Sequence, residues 1–162
     1  MRVAASVVVA FLGLTIANAQ QAARIEIVEK GIFRSEVFKQ IDNQNLASGT
    51  RNVVRNLRLV RSTADVPAQA GTAFGFQYKL TGPRTDKVLV KTVVKYPAQG
   101  VRNPARNETK FRDEYVSEVA VGPIMYRGYK FGEVDAVPGT WTFEIWLGDR
   151  KLTEQSFNVY QP

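Results

Sequence analysis

An all-β sandwich is the fold class that this sequence predicts, and three observations predict it. Apolar residues recur at every second position through most of the chain, the spacing of strands that bury one face. Gly, Pro, Asn and Asp punctuate those runs, as tight connections between strands require. No stretch sustains the apolar spacing of a long helix. The expectation is about seven to eight antiparallel strands, packed sheet on sheet because each has a single apolar face to cover.

The first residues are read as an export leader rather than as part of that fold. Met1-Arg2 is a short positive start, and Val3 to Ile16 is apolar or small apart from Ser6 and Thr15. Ala17-Asn18-Ala19 then offers small residues at the two positions a signal peptidase reads, which places the cut between Ala19 and Gln20. Residues 1–19 are therefore expected to be a cleaved signal peptide and residues 20–162 a single domain, periplasmic or secreted. Nothing in the mature chain has the length of about 20 apolar residues that a membrane-spanning helix needs. Loss of Arg2 with the leader takes the net charge from +7 to +6.

Within the domain, Ile25 and Ile27 alternate with Arg24, Glu26 and Val28, and Gly31 interrupts before Ile32-Phe33. A glycine at such a place marks a bulge or a close backbone approach. Residues 35–52 are polar and mixed, and read as a long loop with room for one helical turn. Over 53–63, Val53, Leu57 and Val60 fit a helix, whereas Leu57 and Leu59 alternate around Arg58 as in a strand; a strand over residues 56–62 is preferred. Phe74, Phe76, Tyr78 and Leu80 share one face, and Thr81-Gly82-Pro83-Arg84 turns the chain. Val88, Val90, Thr92, Val94 and Tyr96 make the next apolar face, with Lys87, Lys91 and Lys95 opposite. A loop over residues 97–107 precedes the alternation of Tyr115, Val119 and Val121, and a short aromatic strand covers residues 126–131. Trp141, Phe143, Ile145 and Leu147 form the strongest apolar face, and Gly148-Asp149 is a two-residue hairpin turn into a last strand with Phe157 and Val159.

The run Val66-Pro67-Ala68-x-x-Gly71-x-x-Phe74-Gly75-Phe76, then Tyr96-Pro97 and Asn103-Pro104, forms one ordered set of turn and core motifs. Glu133-x-x-x-Val137-Pro138-Gly139-x-Trp141-x-Phe143 and Leu152-x-x-Gln155-x-Phe157-x-Val159 continue it. In these motifs the chain resembles an uncharacterised family of exported bacterial immunoglobulin-like domains, a domain of unknown function. The resemblance implies an immunoglobulin-like sandwich and an exported location. It supplies no catalytic residue.

Function is bounded mainly by what is missing. The chain has no histidine and no cysteine, which excludes Ser-His-Asp and thiol catalysis, disulfides, and the usual zinc and haem sites. No phosphate-binding or dinucleotide motif is present. The expectation is no enzyme, no catalytic, cofactor-binding or metal-binding residue, and no cofactor. The enzyme alternative is a carboxylate-only hydrolase or lyase. It would use two of the fifteen acidic residues, for which Asp113-Glu114, Glu133 with Asp135, and Glu26 with Glu29 are the groupings. It requires two carboxylates converging in a concave pocket. The basic surplus suits anionic partners, and Lys87, Lys91 and Lys95 are the candidate anion-binding face. Trp146, flanked on its face by Thr142 and Glu144, is the candidate exposed aromatic. The sequence thus points to an exported binding or protein-interaction module of the bacterial envelope, with an envelope protein or an anionic glycan or lipid as partner classes. A structural or accessory envelope subunit is the third reading.

Overall fold

The structure is a computed structural model that describes residues 22–103 and 106–162. The leader and its cut at Ala19 and Gln20 lie outside the described residues. Eight long strands carry the fold: β1 (Arg24–Asp42), β2 (Thr50–Ser62), β4 (Ala73–Thr81), β5 (Lys87–Lys95), β8 (Arg112–Ala120), β9 (Ile124–Lys130), β10 (Gly139–Leu147) and β11 (Arg150–Tyr160). Three short ones join them, β3 (Asp65–Pro67), β6 (Val101–Asn103) and β7 (Glu108–Lys110). One sheet runs β2-β1-β4-β9 and the other β3-β11-β10-β5-β8, with β6 and β7 as a separate ribbon. All pairs are antiparallel except β3 with β11.

The core forms where the two apolar faces predicted from alternation meet. Phe74, Phe76, Tyr78 and Leu80 of β4 are wholly buried, as are Val90 of β5 and Trp141, Phe143 and Ile145 of β10. The Phe74 ring lies edge-on to Phe157, Phe143 and Trp141, with centroids 5.3, 5.8 and 5.8 Å away. Edge-to-face packing suits the ring quadrupoles and adds to the stabilisation from area burial. The indole Nε1 of Trp141 donates to the Val137 carbonyl at 2.9 Å, so its one polar atom is satisfied inside the core. Leu147, at the strand end, is only half-buried.

Glycine permits the tightest sheet contacts. Gly31, Gly75 and Gly128 stand side by side across β1, β4 and β9. Gly31 and Gly75 have φ of +150° and +156°, and a Cβ on either would overlap the carbonyl oxygen of the neighbouring strand, that of Arg61 or Arg127. The close approach expected at Gly31 is thus present, beside a break in register between Ile32 and Phe33.

The loop expected over residues 35–52 is instead strand for most of its length. β1 continues to Asp42, and β2 begins at Thr50, six residues before the preferred strand start. Beyond Phe33, β1 has left β4 behind and pairs only with β2. This two-stranded arm is not sandwiched, so its residues do not alternate cleanly: Val37, Phe38 and Val53 are all exposed. That is why a polar, mixed sequence conceals it. Three register shifts bend the arm, and at one of them Asn56 has φ +53°, a conformation that Asn tolerates better than most residues.

Candidate functional site: a cleft beneath the hairpin arm

The arm crosses to the opposite sheet and is held there by its tip. Backbone bonds from Asn43 to Gly49, Leu46 to Asn43 and Gly49 to Leu46 close a compact turn, with the Asn45 N–H bonded to the Asn43 side chain. Leu46 and Ala47 are buried. The Ala47 N–H donates to both carboxylate oxygens of Asp113, at 3.0 and 2.8 Å, and the Asn103 amide donates to the Ala47 carbonyl at 2.8 Å. Lys110 and Arg106 donate to the carbonyls of Asn45 and Gln44. Asp113 therefore sits at the centre of the latch. It is only 3% exposed and also accepts from the Tyr96 hydroxyl at 2.5 Å and the Lys110 ammonium at 2.8 Å. Burial chiefly, with Tyr129 and Asp113 nearby, raises the Tyr96 pKa, so Tyr96 is held as a neutral donor.

Beneath the arm lies a cleft of about 460 Å³, walled by the arm, by β8 and by β9. Val37, Val54 and Met125 supply apolar wall, and Tyr115, Tyr126 and Tyr129 supply rings. Such a volume falls in the range of small-molecule seats. Arg127 comes from the inward face of β9, since it pairs with the buried Phe76. Its Nη2 donates to Ser117 Oγ across the gap to β8 at 3.0 Å, and its guanidinium carbon is 5.7 Å from the Tyr115 ring centroid. Its Nε is buried without a hydrogen-bond partner.

Two carboxylates line this cleft, Asp113 and Glu118. Asp113 accepts from three donors, and Glu118 accepts from Lys87 at 2.7 Å. The other acidic groupings do not converge there: Glu26, Glu29 and Glu133 are exposed, while Asp135 is buried and bonded to the Tyr129 hydroxyl and the Gly132 N–H.

Lys87, Lys91 and Lys95 do stand on one face, the outer face of β5, and each has a carboxylate neighbour. Lys87 meets Glu118 at 2.7 Å, Lys91 meets Glu114 at 3.6 Å, and Lys95 meets Glu144 at 2.6 Å. Trp146 belongs to the same surface and is half-buried. Its ring lies 5.3 Å from the Lys91 ammonium and 5.7 Å from that of Lys151, and its Nε1 donates to Glu144 at 2.8 Å. Glu144 is consequently covered although it points outward, with a side chain only 3% exposed. Desolvation alone would raise its pKa, but the hydrogen bonds from Lys95 and Trp146 and the Lys95 charge win, lowering it to about 2.

Arg127, Ser117 and the arm tip were not singled out from the sequence. The inward parity of Arg127, between Met125 and Tyr129 in an aromatic strand, is the one local signal that could have found it. The buried Leu46-Ala47 pair carries no such signal, because its partner Asp113 lies 66 residues away from Ala47.

Comparison with known proteins places this geometry in a wider set. A family model described as Domain of unknown function (DUF3859) matches residues 21–159. A crystal structure of an immunoglobulin-like protein from Pseudomonas aeruginosa is similar, with 29% sequence identity and a TM-score of 0.62, over 88% of this chain and 99% of that one. The fold is thus an immunoglobulin-like β-sandwich. No curated protein matches.

Proposed function

The chain belongs to that family of unknown function, and from this premise we propose that it is an exported, non-enzymatic binding module of the bacterial envelope. Its ligand seat is the cleft under the β1–β2 arm. One observation carries this reading: a buried carboxylate, Asp113, is committed to holding a hairpin over a hollow that the sandwich core does not fill. A buried charge with several protein donors is a costly anchor, and simple sheet closure does not need one. The lysine row of β5 is a less suitable seat, because Glu118, Glu114 and Glu144 compete with any incoming anion for its ammonium groups.

The export half is tested by expressing the full chain in a Gram-negative host. The mature protein should begin at Gln20 and fractionate with the periplasm; an N-terminus at Met1 contradicts it. The binding half is tested on the same material, incubated with the small-molecule fraction of an envelope extract and followed by amide chemical shifts. Shifts should concentrate on residues 46–54 and 115–130, and Val37→Trp, which fills the cleft from an exposed position, should abolish them. Shifts that survive Val37→Trp, or that fall on Lys87 to Lys91 while sparing residues 46–54, would overturn the assignment.

A further inference from the structure

We propose that the cleft takes an amphiphilic oxyanion, a carboxylate or phosphoryl group on an apolar body, with Arg127 as the anchor for the anionic head. The proposal rests on the cleft being the ligand seat and adds the chemistry of the ligand.

Charge accounting in the cleft is the first argument. Arg51, Arg127 and Lys130 line it together with Asp113 and Glu118. Both carboxylates are engaged by other cations, Lys110 and Lys87. Among the described residues no carboxylate lies within 4 Å of Arg51, Arg127 or Lys130. Three cations therefore line the hollow without counter-charges; Lys130 is exposed, but Arg51 and Arg127 are half-buried, and cations drawn out of water are ordinarily paired.

Hydrogen-bond capacity is the second. Arg127 has five N–H donors, of which one, on Nη2, is bonded to Ser117 Oγ. Nε is buried and unpartnered, and Nη1 makes no hydrogen bond among the described residues. The buried Tyr78 hydroxyl lies against the guanidinium, close enough for Arg127 to act on its titration, but without a well-formed hydrogen bond. Ser117 accepts from Arg127, so its own proton is free to donate. Even with the Tyr78 and Ser117 oxygens beside it, the five-donor guanidinium leaves this end of the cleft with more donors than acceptors. An oxyanion is the complement: its lone pairs accept several N–H and O–H bonds at once, and the guanidinium fork matches carboxylate and phosphoryl geometry.

The walls are the third. Val37, Leu46 and Val54 from the arm and Met125 from β9 line the same cleft with hydrocarbon. A bare inorganic ion would leave that surface wetted, whereas an alkyl or aromatic body would cover it. Tyr115, with its ring centroid 5.7 Å from the guanidinium carbon, gives the anchor a cation–π contact.

The test titrates the protein, recovered after export of the full chain, with octanoate, octyl phosphate, octanol and octylamine below their micellar concentrations. Amide shifts identify the site and give the Kd. Octanoate or octyl phosphate should bind at residues 46–54 and 115–130 at least about tenfold more tightly than octanol, with octylamine weakest; the stronger of the two anions names the headgroup. Arg127→Gln should lower anion affinity at least about tenfold, the usual worth of a charged hydrogen bond, and leave octanol unchanged. Lys91→Gln, on the outer face of β5, should change nothing. If Arg127→Gln does not fold, the double variant Arg51→Gln/Lys130→Gln decides: anion affinity must fall at least about threefold with octanol unaffected. Equal binding of all four probes in the cleft overturns the oxyanion and leaves the cleft as a seat. Absence of shifts in the cleft with every probe overturns both.

Discussion

Replacing Asp113 by Ala should lift the arm without melting the sandwich. The side chain now satisfies the Ala47 N–H, the Tyr96 hydroxyl and the Lys110 ammonium. Each buried donor left without an acceptor costs about 1–3 kcal/mol. The Lys110 side chain is 18% exposed and can turn to water, so two donors bear most of the cost. At the lower part of that range, about 1–2 kcal/mol for each of the two, the docked arm should lose about 2–4 kcal/mol relative to the lifted one. At about 1.4 kcal/mol per factor of ten, local opening becomes about 30- to 1,000-fold more frequent. Native-state hydrogen exchange reads this directly, since amides that open locally exchange without global unfolding. Ala47, Gly49 and the paired amides of residues 50–55 should lose protection by that factor, while Phe143 and Ile145 in the core keep theirs. Asp113→Asn retains one accepting oxygen and should give a smaller loss, about 1–2 kcal/mol. Wild-type exchange at Ala47 in Asp113→Ala would refute the latch. Loss of protection in the core by the same factor would show that arm and sandwich are a single cooperative unit.

Three further outcomes follow from the packing and the charges. Trp141→Ala should cost about 3–5 kcal/mol, read as a lower denaturant midpoint, because the indole is wholly buried and Phe74, Tyr96, Tyr129 and Phe131 pack against it; an unchanged midpoint refutes the core assignment. Gly75→Ala should cost about 2–4 kcal/mol through overlap with the Arg127 carbonyl, whereas Gly49→Ala, strained at φ +71° but in open space, should cost only about 1 kcal/mol. Equal thermal shifts in the two variants would count against the close strand approach. Glu144 has its pKa lowered to about 2 in the fold, so its contribution is fully present above the ordinary glutamate pKa of about 4.3 and is lost as pH falls toward 2. Solvent screening around the half-exposed lysines reduces the full linkage value to about 1–2 kcal/mol. Glu144→Gln should therefore be less stable than wild type at pH 7 and indistinguishable near pH 2; an equal deficit at both values refutes the ion-pair account.

The sandwich was legible because its strands lie between two sheets. Phe74 to Leu80 and Trp141 to Ile145 alternate cleanly since one side of each strand meets the core, and period two is the visible imprint of that burial. The arm lacks a second layer, so nothing imposed alternation on residues 34–42, and a strand looked like loop. Side-chain parity also placed Lys87, Lys91 and Lys95 correctly on one face. Their pairing with Glu118, Glu114 and Glu144 depends on the registers of β5 against β8 and β10, which no local pattern encodes. The half-burial of Trp146 has the same origin, for Lys91 and Lys151 reach its ring from the two adjacent strands. The cleft was not legible at all. It arises where the bent hairpin meets β8 and β9, which begin about 50 residues after the hairpin ends.

Hydrogen exchange of the arm, with and without the ligand retained from the envelope small-molecule fraction, tests the central claim most directly. Ligand in the cleft should slow exchange at Leu46, Ala47 and residues 50–54, and should leave Lys87 to Lys91 unchanged. Slowing confined to the β5 face, with the arm exchanging as in the free protein, would contradict the assignment of the cleft as the binding seat.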